Sequence, residues 1–125
     1  MYERNNKLTE LLYCVIAEHD ELEDLNDLMI VALTSSSAKK SHNMVTYAEC
    51  TKVTDKMKAL TGTDFVITFY LPNLTGISTN ALKALCWHEL KHIGWNGEEK
   101  WIIPHDLSDF KEIVDLYGTD WIKME

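Results

Sequence analysis

Two histidines and a glutamate in CWHELKHIGW, residues 86–95, carry the clearest chemical signal in the chain. His88 and His92 are four residues apart, so on a helix both rings project from one face, one turn from each other. Two imidazoles placed in this way can share a metal ion. Glu89 directly follows the first histidine, about 100 degrees round the helix axis. From there a carboxylate can reach a metal-bound water without displacing it. A zinc hydrolase needs this set: the metal acidifies a water and polarises a carbonyl, and the carboxylate takes the proton and passes it to the leaving amine. The competing reading is an ordinary helix whose histidines are surface or hydrogen-bonded core groups.

Catalytic zinc normally holds three protein ligands and keeps a fourth position open, so two histidines leave the site one ligand short. Glu98, His105, Asp106, Asp109 and Glu112 all follow within reach in sequence. Glu98 stands where the longer pattern HExxHxxGxxH has its last histidine, but Trp95 occupies that pattern's glycine position and Gly94 misses it by one. Glu112 lies at a distance resembling the thermolysin-like arrangement, without matching local companions. His105 is the favoured third ligand, because it follows an apolar segment and opens the last predicted helix, a junction that would hold its ring rigidly. A plain helix-start residue, with Asp106 as the cap, is the alternative.

The elements that must position these groups can be read from periodicity. Residues 8–19 place Leu8, Leu11, Leu12, Val15 and Ile16 on one helical stripe, and Leu22, Leu25 and Leu28 suggest a second, short helical stretch. Residues 29–35 read as a buried strand, 35–43 as a polar loop, and 44–53 as a strand covered on one face. Residues 55–62 form a short helix closed by Gly62. DFVITFYLP, 64–72, is the clearest strand, with Phe65, Ile67 and Phe69 on one face and Pro72 at its end. Ser78 or Thr79 caps a helix predicted over 79–93 with Gly94 as terminator, Asn96-Gly97 centres a turn, and residues 101–104 form a brief extended segment. A final helix carries Phe110, Ile113, Val114 and Tyr117 inward and ends at Gly118.

A chain of 125 residues suits a single domain spanning 1–125, and 46% apolar residues can fill its core. A net charge of -8 argues against a non-specific nucleic-acid binder, which needs a basic footprint. Cys14, Cys50 and Cys86 form no CxxC pair and read as buried free thiols in a reducing compartment. YERNNK after Met1 is unlike a signal peptide, and no stretch is long and apolar enough for a membrane span, so a cytoplasmic protein is expected.

LKALCWHELKHIGW followed by IIPHDLSDFKEIVDLYG, with YAECTKV and DFVITFY upstream, closely resembles the phage metallopeptidase family, very small zincin-like proteins of bacteriophages and prophages. The resemblance covers most of residues 25–121 and rests on three ordered blocks. It implies an α+β minimal zincin-like domain, with a small mixed or antiparallel sheet packed against the HExxH helix. It implies one Zn²⁺ with His88 and His92 as ligands, Glu89 as the catalytic carboxylate and His105, from the family's HD block, as third ligand. Asp106 matches the acidic residue after that histidine, and Asp109 and Phe110 match the block's end. Ser108-Asp109 replaces the family's usual acidic pair, which weakens an acidic role for residue 108. A bacterial host cell is the implied setting and a peptide or protein the implied substrate.

Weaker signals surround the motif. Tyr47 or Tyr70 could steady an oxyanion, and Trp87, Trp95 and Trp101 serve equally well as core or cleft wall. His19 and His42 read as solvent-exposed, and Cys86 as a buried thiol. The strand 64–71 is expected to hold an extended substrate if it is the sheet edge beside the metal, with a central position as the competing reading. The rival to a peptidase is a zinc-stabilised binding or regulatory protein, inactive or active only with an unidentified partner. In it a fourth ligand such as Cys86 or Glu98 would close the metal site.

Overall fold

Large apolar side chains alternate in FVITFY, and this alternation makes β6 (Phe65–Tyr70) the centre of the molecule. Phe65, Ile67 and Phe69 point to one face and are completely buried. A computed structural model describes residues 1–41 and 44–104. In it β6 pairs in parallel with β2 (Ile30–Ser35) and antiparallel with β5 (Ala48–Lys52). Strand β1 (Tyr2–Arg4) adds antiparallel to the far side of β2, giving a mixed sheet of order β1-β2-β6-β5. Two short ribbons stand apart from it, β3 (Lys40–Ser41) with β4 (Met44–Val45), and β7 (Ile93–Trp95) with β8 (Lys100–Ile102).

Two helices cover the Phe65–Ile67–Phe69 face. Helix α1 (Asn6–Glu18) starts where the Asn5 side chain accepts from the Leu8 N–H, and buries Leu12, Val15 and Ile16. Helix α3 (Thr79–Leu90) is capped by Ser78, whose Oγ accepts from the Ala81 N–H. Between α1 and β2 a 3-10 segment, Asp20–Asp27, buries Leu22 and Leu25 and turns its acidic side chains to solvent. The opposite face of the sheet is flanked by α2 (Asp55–Thr61), capped by Thr54 and closed by Gly62 at a φ of 74°. The expected α+β arrangement, a mixed sheet packed against the HExxH helix, is thus the observed one.

Several expectations are corrected. Of the two readings left open for the strand over 64–71, the central one is observed: β6 has a neighbour on both sides, and β1 and β5 are the edges. Helix α3 stops at Leu90, and Gly94 lies inside β7 opposite Trp101. Its lack of a side chain serves packing, since a Cβ there would sit 2.2 Å from the Trp101 ring. The strand expected over 44–53 breaks at Thr46-Tyr47 into β4 and β5. Cys14 is exposed and Cys50 half-buried, so only Cys86 is a core thiol. Position 14 falls on the solvent side of the α1 stripe, where an apolar neighbourhood in sequence does not amount to burial. The helix expected to end at Gly118 and the residues His42, His105, Asp106, Asp109, Phe110 and Glu112 lie outside the described residues.

Candidate metal centre

His88 and Glu89 sit on the last turn of α3, and His92 on the turn that follows it. The helix ends before His92, yet the chain keeps enough curl to leave the i to i+4 relation intact. Lys91 remains right-handed at φ -70° and ψ -13°, and the His92 N–H reaches the Glu89 carbonyl at 3.1 Å. The two imidazoles stand edge to face with centroids 5.0 Å apart. One ligand atom from each of His88, Glu89 and His92 lies within 4.8 Å of the others, and all three residues are buried. Two imidazoles and a carboxyl group gathered this closely fit a divalent transition metal better than they fit an apolar core.

The orientation of His92 is set from outside the helix. Its Nδ1 lies 2.6 Å from the Ile103 carbonyl oxygen, and its own carbonyl accepts the Ile103 N–H at 2.7 Å. A carbonyl only accepts, so Nδ1 carries the proton and donates. A backbone carbonyl on Nδ1, with Nε2 as the ligand atom, is the arrangement by which metal-binding histidines are commonly held.

Burial pushes the Glu89 carboxyl up to about 8, with a smaller push from the negative charge of Glu49. A carboxylate with so raised a proton affinity suits a general base acting near neutral pH. Glu49 lies on the edge strand. Against the upward pull of burial, hydrogen bonds from Lys39 and Tyr70 hold it below the usual carboxylate range. Lys39 Nζ is 2.7 Å from Glu49 Oε1, and the Tyr70 hydroxyl donates to the same oxygen.

A cleft of about 450 Å³ opens beside the cluster. Ala48, Glu49 and Cys50 of β5 form one side, Ile102 and Pro104 another, and Glu89 and His92 also line it. Burial and the charge of Glu89 both raise the proton affinity of the Cys50 thiol, so it stays neutral there.

The structure brings together three of the four residues singled out for the centre, His88, Glu89 and His92. His105, the fourth, lies outside the described residues. Cys86 is fully buried in the core cluster and Glu98 is exposed in the β7–β8 turn; neither joins the ligand cluster among the described residues. Tyr70 is committed to Glu49, and Tyr47 packs against the core; neither lines the cleft. Trp87 belongs to the core, with its indole N–H donating to Glu21 at 3.1 Å and its ring stacked on His19 at 4.8 Å. The half-buried His19 is therefore a packing residue and not a merely solvated one. Trp95 also packs against the core. Sequence reasoning missed Glu49, Lys39 and the Ile103 carbonyl, because no local spacing announces a partner from another element.

The family model described as "Putative phage metallopeptidase" matches residues 1–125, the whole chain. No curated protein and no solved structure matches it.

Proposed function

The chain belongs to that phage metallopeptidase family and is a metallopeptidase of the HExxH type, and we propose that zinc is its metal, held by His88, His92 and His105. The observation that carries this reading is the convergence of two buried imidazoles and a buried carboxylate beside an open cleft. What zinc supplies when bound is Lewis acidity toward water and the scissile carbonyl. Glu89 is the general base and then the general acid, taking a proton from water and handing it to the leaving amine. Its raised proton affinity supports that role. His92 offers Nε2 because the Ile103 carbonyl occupies Nδ1. The assignment of His105 rests on its place in the sequence, two residues after Ile103, whose N–H is bonded to the His92 carbonyl.

An extended peptide is the substrate, held along the free side of β5, the sheet edge that lines the cleft. The closed, purely structural site loses its named fourth ligands, since Cys86 and Glu98 stand outside the cluster. Among the described residues no helix is long and apolar enough to cross a membrane. A single domain over 1–125, working in the cytoplasm of a bacterial host and relying on a partner protein for part of its specificity, completes the reading. No nucleic-acid partner belongs to it.

Elemental analysis and zinc competition titration of the wild type and His105→Ala test the centre. The expected result is equimolar zinc in the wild type and a large affinity loss in the variant. Zinc binding that is indifferent to the loss of His105 would remove it from the ligand set and return Glu98 or Glu112 to contention. Peptide-library cleavage, with Glu89→Gln as control, then tests hydrolysis.

A further inference from the structure

We propose that Lys100, through its ion pair with Asp64, is a positioning residue for the metal centre, holding β8 so that the Ile103 carbonyl orients the His92 imidazole. The inference rests on His92 being a metal ligand. It starts from a carboxylate that the motif does not explain. Asp64 is only 4% exposed and stands at the entry to β6. Its Oδ1 receives Lys100 Nζ and Lys58 Nζ, each at 2.8 Å, and its Oδ2 receives the Met29 N–H at 2.8 Å. Its backbone is tied as well, the N–H to the Met29 carbonyl and the carbonyl to the Val53 N–H. One residue thus joins the segments entering β2 and leaving β5, helix α2 and ribbon strand β8.

Taking a carboxylate and an ammonium out of water offsets much of their attraction, so a buried pair of this kind contributes more to geometry than to stability. The geometry it controls is that of β8. This strand pairs with β7 and not with the four-stranded sheet, and an isolated two-stranded ribbon is marginal by itself. Lys100, 16% exposed, anchors the start of the strand to the buried Asp64 at the entry to β6. At the other end, Ile103 exchanges two hydrogen bonds with His92. The extended chain between the anchors is about 10 Å long and cannot stretch, so it transmits a shift at one end to the other. A slide of about 1 Å would carry the 2.6 Å contact between His92 Nδ1 and Ile103 O beyond hydrogen-bonding range. Trp101, laid over Gly94, holds the ribbon's two strands in register.

Lys58 provides the internal control, because it contacts the same carboxylate oxygen from α2 and has no part in the ribbon. The test compares Lys100→Gln, Asp64→Asn, Lys58→Gln and Lys100→Arg by zinc competition titration. Metal-free protein is followed in parallel by hydrogen exchange of the Ile103 amide and by the ring-nitrogen NMR shifts of His92. Lys100→Gln and Asp64→Asn are expected to weaken zinc binding by about tenfold. Both should speed Ile103 exchange and move the His92 Nδ1 resonance. Lys58→Gln should leave all three readouts close to wild type, and Lys100→Arg should restore most of the affinity. Ile103 protection and zinc affinity unchanged in Lys100→Gln would overturn the proposal. So would a Lys58→Gln defect as large as that of Lys100→Gln, which would reduce the pair to a structural tie. Asp64→Asn, which keeps its shape and the Met29 contact, carries the same judgement if Lys100→Gln does not fold. A wild type without zinc affinity would instead sink the metal centre, while the exchange and NMR readouts would still decide the positioning.

Discussion

Helices α1 and α3 pack against the same face of the sheet and bury themselves in opposite ways. Helix α1 obeys the rule for a surface helix: Leu12, Val15 and Ile16 face inward while Cys14, Ala17 and Glu18 face water. In α3 every residue from Ala84 to Leu90 is buried, His88 and Glu89 among them. The end of α3 is enclosed because α1, β5, the Asp20–Asp27 segment and the β7–β8 ribbon crowd around it. Burying a carboxyl among these neighbours is unfavourable for its charged form, and the raised proton affinity of Glu89 records that cost. The difference separates a helix that supplies stability from one that gives up some stability to hold reactive groups in a dry place.

Substitutions should therefore dissociate along the same line. The largest effect is expected from Glu89→Gln, which removes the general base and should lower kcat by about 10²–10⁴-fold without weakening the fold. Peptide-cleavage assays together with thermal unfolding read both quantities; a large fall in stability would make α3 an ordinary scaffold helix. Next comes Leu12→Ala in α1, which deletes a fully buried side chain and should cost about 2–5 kcal/mol of stability. Denaturant titration measures that loss, while zinc affinity per folded molecule should stay at the wild-type value.

The smallest and sharpest effect concerns pH. Glu89 binds its proton more tightly in the folded chain than in the unfolded one, so the stabilisation this gives metal-free protein is full below about pH 4.5. It declines as pH rises toward 8, where the folded carboxyl must ionise. Unfolding of the metal-free wild type across that window should show the decline, and Glu89→Gln should flatten it. Parallel curves for the two proteins would mean that α3 carries no such penalty.

Much of this was legible in order along the chain. The helix stripe of α1, the Ser78 cap, the alternating face of β6 and the His88–Glu89–His92 spacing all depend on neighbours within a turn or two. The Asn96-Gly97 turn was equally readable: the Asn96 side chain accepts from the Glu98 and Glu99 N–H groups, and Gly97 takes a φ of 95°. Expectations failed where a distant partner decided the outcome. The helix was drawn to residue 93 because Ile93 continues the apolar period, but pairing with Ile102 pulls that residue into β7. For the clearest strand the sequence leaves edge and central positions open, since apolar alternation reports a covered face and says nothing about neighbours in the sheet. Cys14 sits in an apolar run but off the buried stripe.

What the sequence determined by itself is the local chemistry: two imidazoles one helical turn apart, a carboxylate between them, and the periods of the elements that carry them. These follow from the repeat of the backbone and need no knowledge of the rest of the fold. Tertiary structure decided which strand borders the cleft, which ring nitrogen of His92 meets the Ile103 carbonyl, how strongly Glu89 holds its proton, and that Asp64 meets Lys100 across 36 positions. Those properties arise from desolvation and from contacts between segments far apart in sequence. Electrostatic and hydrogen-bond energies depend on distance in space, which sequence separation does not supply.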